Sequence, residues 1–160
     1  MPAATAKYSP PGFTKIAWVT TVTLAAPTAA QLNAGTRLET FARNMPNLPR
    51  AGNTVDVATL DTKYEKRQVG TRGGETITCE FLRDGTTDTA YTTLAEDTVG
   101  YFVVARKGLA GATFAAADKV DVFPAVVLSV VDGTPGRNDP DFFIAEMVVT
   151  EAPNRNVSVV

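Results

Sequence analysis

The stretch Gly73-Gly74-Glu75-Thr76-Ile77-Thr78-Cys79-Glu80-Phe81-Leu82-Arg83-Asp84-Gly85 decides the fold class. Ile77, Cys79 and Phe81 alternate with Thr76, Thr78 and Glu80, the period of a strand with one face in a core and the other toward water. Turn signals stand at both ends, and Arg83-Asp84-Gly85 leads the chain into a Thr-rich segment before a second strand at Tyr101 to Arg106. This β scaffold carries little that could do chemistry. The chain has no His, one Cys, and Ser only at Ser9, Ser129 and Ser158.

Working outward, Thr14 to Leu24 reads as a strand with Ile16, Trp18, Val22 and Leu24 on one face and Lys15, Ala17 and Val19 on the other. Pro27-Thr28 opens a short helical turn through Leu32, which Asn33 and Gly35 end in left-handed C-cap fashion. Thr36 to Ala42 reads as a short strand and Thr54 to Leu60 as another. Residues 43–53 form an irregular connection broken by Pro46, Pro49 and Gly52, and residues 61–74 a charged loop or hairpin tip. Residues 87–97 suit a short helix with Asp88 as N-cap and Tyr91, Leu94 and Ala95 on one face. Val120 to Val131 and Phe142 to Glu151 are the strongest strand pair. Val120, Val122, Val126, Leu128 and Val130 would share one face, with Phe123, Val127 and Val131 opposite. A strand apolar on both faces is central in a sandwich or buried against a neighbouring subunit. Pro124 lacks an N–H and marks an edge or a bulge.

The expected architecture is therefore mainly β: a β-sandwich or small barrel with one or two short helices, long loops and flexible termini. A flexible N-terminal arm (1–13, with Pro2, Pro10 and Pro11) precedes a single β domain (14–151), and a polar C-terminal tail (152–160) follows. At 160 residues, 44% hydrophobic and 20% charged, the chain can bury one core and is not disordered.

The net charge of −2 is unevenly spread. Residues 1–60 carry five Lys/Arg and two Asp/Glu (+3), residues 61–100 five and eight (−3), and residues 101–160 five and seven (−2). Such polarity suits head-to-tail self-association. It also argues against a dedicated nucleic-acid binder, which shows a basic face. The Met-Pro-Ala-Ala-Thr-Ala-Lys start is not that of a signal peptide, and no run approaches the roughly 18 apolar residues of a membrane span, so a cytosol-like site of synthesis is expected.

Without His, Ser-His-Asp and Cys-His catalysis and zinc clusters are excluded. Gly70-Thr71-Arg72-Gly73-Gly74 lacks the Gly-Lys-Ser/Thr of a P-loop, and the acidic turn Asp132, Asn138, Asp139, Asp141 lacks EF-hand spacing. Cys79 reads as a small buried hydrophobe. No catalytic residue, cofactor or metal is expected. What remains is contact chemistry. Arg37, Arg43 and Arg50 make the first third basic and could meet the acidic 61–100 segment of a neighbour. Lys66, Arg67 and Arg72 lie in the exposed loop, and Val127 and Val131 would need a partner surface.

The sequence Asn53-Thr54-Val55-Asp56-Val57-Ala58-Thr59-Leu60-Asp61, then Gly70 with its polar loop, then Gly74 to Asp84, the helical stretch 89–94 and the strand Tyr101-Phe102-Val103-Val104-Ala105-Arg106 resembles, in pattern and order, the major tail tube proteins of long, non-contractile-tailed bacteriophages. The resemblance covers roughly residues 14–150. It implies a virion protein made in the host cytoplasm, whose copies close six at a time into rings through sheet contacts. The rings would stack into a hollow tube around a tape-measure protein, bounded by initiator and terminator proteins, and would conduct DNA at ejection without binding it specifically. Loops and terminal arms would join the rings. The residues themselves leave two alternatives open: another particle protein, such as a tail terminator, head-tail joining or capsid decoration protein, or a monomeric β-sandwich binding module.

Overall fold

The computed structural model describes residues 14–48, 52, 54–56, 67–70, 73, 76–107 and 113–160. β1 (Lys15–Val19), β2 (Thr36–Arg37), β5 (Thr76–Leu82), β6 (Val99–Lys107), β7 (Lys119–Asp132), β8 (Phe142–Val149) and β9 (Asn154–Ser158) form one antiparallel sheet. Its order is β2-β1-β6-β7-β8-β5, with β9 also paired to β7. β3 (Thr54–Asp56) and β4 (Arg67–Val69) make a separate two-stranded ladder. The helices α1 (Ala29–Asn33) and α2 (Thr89–Thr93) are single turns. The mainly β fold with two short helices is as the sequence predicts.

β7 is the spine. Near Lys119 it lies between β6 and β9; near Asp132 it pairs with β8. Pro124 sits where one edge of β7 passes from β9 to β8: the β9 register ends at Val122↔Asn154 and the β8 register begins at Ala125↔Val149. The missing N–H therefore breaks no ladder, while the Pro124 carbonyl still accepts the Thr150 N–H at 2.9 Å.

Two cores lie on opposite faces of this sheet. One gathers Ile16, Trp18, Phe102, Phe123, Ala125 and Val127 with Ile77, Cys79, Phe81, Phe143, Ala145 and Met147, and takes Ala90 and Leu94 of the α2 region and Leu38 as its cover. The other gathers Ala17, Val19, Val103, Ala105, Val120 and Val122 under Leu32 of α1, Phe114 and Val159. The strict alternation of β1 between the two cores follows from its period of two. Inside the second core Lys15 and Asp118 pair at 3.0 Å, both side chains buried. Asp118 also accepts the Ala115 N–H, and Lys15 donates to the Thr113 carbonyl, so the loop before β7 is pinned under β1.

One segment fastens both outer edges of the sheet. Thr36 and Arg37 pair with β1, and the Leu38 N–H donates to the Ile16 carbonyl. The chain then crosses to β5, where the Leu82 N–H donates to Phe41, the Arg43 N–H to Glu80, and Ala42 bridges Phe81. The sheet is curled but not closed by a continuous ladder.

Five details depart from the sequence reading. Of the strand expected over Thr36 to Ala42 only Thr36–Arg37 forms, because the chain turns after Leu38 to cross to β5. The β1 ladder ends at Val19, not at Leu24, and Val22 then joins the second core, opposite Ile16 and Trp18. α1 ends on Ala34 with right-handed backbone; Gly35 is required by closeness instead, since a Cβ there would lie 2.6 Å from the Trp18 carbonyl oxygen. Asp88 itself adopts φ 48 and makes no side-chain cap; Arg83 holds its carboxylate. Residues 154–158 are a strand and Val159 is buried, so the end of the chain is part of the β domain and not a tail. Its signal was the alternation of Val157 and Val159, too short to outweigh the polar residues around it. The arm 1–13 and most of the 61–74 loop lie outside the described residues.

Candidate functional site

Opposite residues of antiparallel strands share a face, so the registers reveal what the sheet shows on the side away from the first core. Toward the Lys119 end, this side is the second core, covered by α1 and the 113–118 loop. Toward the Asp132 end it continues as cross-strand rows. Val99, Val126, Val148 and Thr76 form one row across β6, β7, β8 and β5. Ser129, Glu146 and Thr78 form the next, then Val131, Ile144 and Glu80, then Phe142 and Leu82. Among the described residues no element lies over these rows. Val99 is 70% exposed, and Leu128 and Val131 are each 55% exposed.

A bulge creates this surface. Between Val127 and Ser129 the β7–β8 register shifts by one residue, and Leu128 is the extra one. The inside-outside parity of β7 reverses there. Val127 is buried and faces the first core, and so does Val130, while Val131 is turned out. The faces expected from unbroken alternation hold only before the bulge.

The bare face carries carboxylates among its apolar rows. Glu146 accepts the Ser129 hydroxyl at 3.1 Å, and Glu96 accepts the Val130 N–H at 3.4 Å. Phe142 lies between Arg43, 4.9 Å from its ring centre, and Gly133, where a Cβ would meet the ring at 2.5 Å. At the rim, Arg83 donates to Asp88 at 2.6 and 2.9 Å and to Asp132 at 3.2 Å, and stacks 4.2 Å over Tyr91. The Asp88 hydrogen bond raises the Arg83 pKa; desolvation opposes it, and the charges of Asp88, Asp132 and Asp141 add to it. The guanidinium thus stays cationic and ties β5, α2 and β7 together.

The two ends of the sheet differ in charge. Among the described residues, nine carboxylates (Glu80, Asp84, Asp88, Glu96, Asp97, Asp132, Asp139, Asp141, Glu146) and three cations (Arg43, Arg83, Arg137) stand around the Asp132 end, a net of −6. Among the described side chains the Lys119 end carries Lys15, Arg37, Arg106, Lys119 and Arg155 against Glu39, Asp118, Asp121 and Glu151, a net of +1.

The candidate contact residues separate accordingly. Arg43 and Val131 belong to the bare face. Arg37 lies elsewhere: on β2 it pairs with Glu39 and sits 5.6 Å over the Phe114 ring. Val127 is corrected, because a fully buried side chain in the first core offers nothing to a neighbour. Arg67 falls in β4, where only the backbone is described, and Arg50, Lys66 and Arg72 lie outside the described residues. Val99, Val126, Leu128, Phe142, Ile144 and Val148 were not singled out as contacts. For Phe142, Ile144 and Val148 the signal was β8 itself, where they alternate with the equally apolar Phe143, Ala145 and Met147.

Among the described residues there is no group of three or more His, Cys, Asp or Glu that could hold a metal, and no helix long and apolar enough to cross a membrane. The prominent surface is thus a bare, mixed sheet face suited to protein contact. The family model described as phage tail tube protein matches residues 1–160. The chain belongs to that family. Tail tube proteins are structural parts of the virion tail and assemble as homo-oligomers, so for this tail tube protein a surface shared between copies takes the place that a catalytic centre holds in an enzyme. A search of curated proteins returns no match.

Proposed function

We propose that six copies of this tail tube protein close into a ring and that the rings stack into a hollow tube through which phage DNA leaves the particle. The bare half of the sheet face carries this reading. An isolated chain would leave Val99, Leu128 and Val131 in water, and apolar patches of this kind mark contact surfaces. A contact between two different patches closes into a ring when its rotation permits, and rings can then stack. The net charge of −2 suits a conduit for a polyanion, because phosphate-binding cations would hold the DNA back. Residues 43–53, residues 61–74 and the arm 1–13 join neighbouring subunits or rings, with Arg37, Arg43, Arg50, Lys66, Arg67 and Arg72 supplying charge. The tube forms in the host cytoplasm around a tape-measure protein, between initiator and terminator proteins.

Negative-stain electron microscopy of concentrated protein, beside light scattering, tests this. Hollow tubes whose end-on views average to six-fold symmetry are expected. Single rings that never lengthen would point to a terminator, and particles that stay near the 16.9 kDa of one chain at every concentration would refute self-assembly. Deletion of residues 2–12 is expected to leave a folded chain that makes tubes poorly.

A further inference from the structure

The composition of the bare face restricts what can cover it. Its apolar rows favour burial, yet Glu80 and Glu146 stand within them and Asp132 and Glu96 at their rim. Two such faces packed on one another would set these carboxylates against their own copies, which is unfavourable once water is excluded. An isologous contact through this face is therefore disfavoured, and the partner surface must be basic. The described part of the same chain supplies one. At the Lys119 end, Lys119 and Arg106 are exposed, and β9, which pairs with β7 from Val122↔Asn154 to Lys119↔Ser158, carries Arg155.

We infer that the bare sheet face of one copy docks on the basic Lys119 end of a second copy, a head-to-tail contact. The inference rests on the self-assembly proposed above and adds its polarity: each copy gives its face to one neighbour and its basic end to the other. Such a contact cannot be saturated by a dimer, which leaves one face and one basic end free, so association continues until a ring closes or a filament grows. The carboxylates set orientation and encounter rate, and the valine and isoleucine rows hold the complex.

A charge-swap experiment tests it. The face variant Glu80→Lys/Glu146→Lys and the end variant Arg106→Glu/Lys119→Glu are each purified, and their folding is checked by circular dichroism. Each alone should self-associate at least about tenfold more weakly than the unaltered protein in low salt, because both of its surfaces now carry one sign. Mixed in equal amounts they should recover association as an alternating copolymer, by sedimentation velocity and microscopy. Val131→Lys replaces the face variant if losing the Ser129 partner unfolds it. Folded variants that associate alone as well as the parent, or a mixture that recovers nothing, would overturn the head-to-tail contact. Sedimentation also separates the two proposals. Recovered alternating association of the mixed variants without tubes from the parent keeps the contact and refutes the ring-and-tube reading. Tubes from every variant do the reverse.

Discussion

Lys15 Nζ lies 3.0 Å from Oδ2 of Asp118, with 5% and 0% of the two side chains exposed. A pair so enclosed depends on both members, since deleting one leaves the charge of the other buried without the partner it faces. Lys15→Met or Asp118→Leu is expected to lower the unfolding free energy by about 3–5 kcal/mol, and the double variant by less than the sum. Urea denaturation of the four proteins checks this. Additive losses would show that the two groups do not interact.

The bulge at Leu128 separates two valines that unbroken alternation would treat alike. Val127→Ala should cost about 1–3 kcal/mol, because it empties part of the first core. Val131→Ala should stay within about 0.5 kcal/mol of the parent, because its side chain is 55% exposed, and should instead weaken self-association. Thermal melts beside sedimentation distinguish the two. Equal destabilisation would mean that the parity of β7 is not reversed.

Gly100 is packed against the indole of Trp18, and a Cβ there would lie 2.7 Å from the ring. The ring is buried and cannot swing away. Gly100→Ala should destabilise by about 1–3 kcal/mol and alter the emission of the single tryptophan. An unchanged spectrum with unchanged stability would place the indole elsewhere.

Burial pushes the Cys79 thiol from its usual 9.0 up to about 12, with Glu80 adding to the shift. The folded state therefore prefers the neutral thiol. This contribution is complete below pH 9 and is lost as the pH climbs toward 12. Native protein should resist thiol reagents at pH 8 until it unfolds. Between pH 9 and 11 it should lose on the order of 2 kcal/mol more stability than a Cys79→Ala control. Parallel pH curves for the two proteins would put Cys79 outside the core. Cys79→Ser should cost about 1–3 kcal/mol through an imperfectly paired hydroxyl.

The strands were legible where side-chain period and burial agree. Ile77, Cys79 and Phe81 are inside and Thr76 and Thr78 outside, as the alternation requires. The pairing of β7 with β8 was equally plain. What alternation cannot contain is a register shift, and one extra residue at Leu128 moved Val127 and Val131 to opposite sides of the sheet. Asp88 misled for a different reason. A carboxylate ahead of a helical stretch signals a cap, but Arg83 five residues earlier competes for the same oxygens, and a two-donor guanidinium wins. The bare face was only partly legible. The doubly apolar stretch Val120 to Val131 announced a partner surface, but which face was already covered depended on the loop 113–118 and on β9, neither of which has a clear period.

The segment that runs from Thr36 to Arg43 has a consequence for how growth can go wrong. It occupies hydrogen-bonding positions on both β1 and β5, so neither outer strand offers a long naked ladder to a stray chain. Fibre formation of the cross-β kind propagates through such ladders and recognises no stopping point, a hazard for any chain that assembles with its own copies. With these two edges capped from within, a contact made at β1 or β5 runs through side chains, whose shape and charge can be matched, orientated and terminated. The backbone of these two strands is already spent inside the fold, and what they can offer a neighbour is surface.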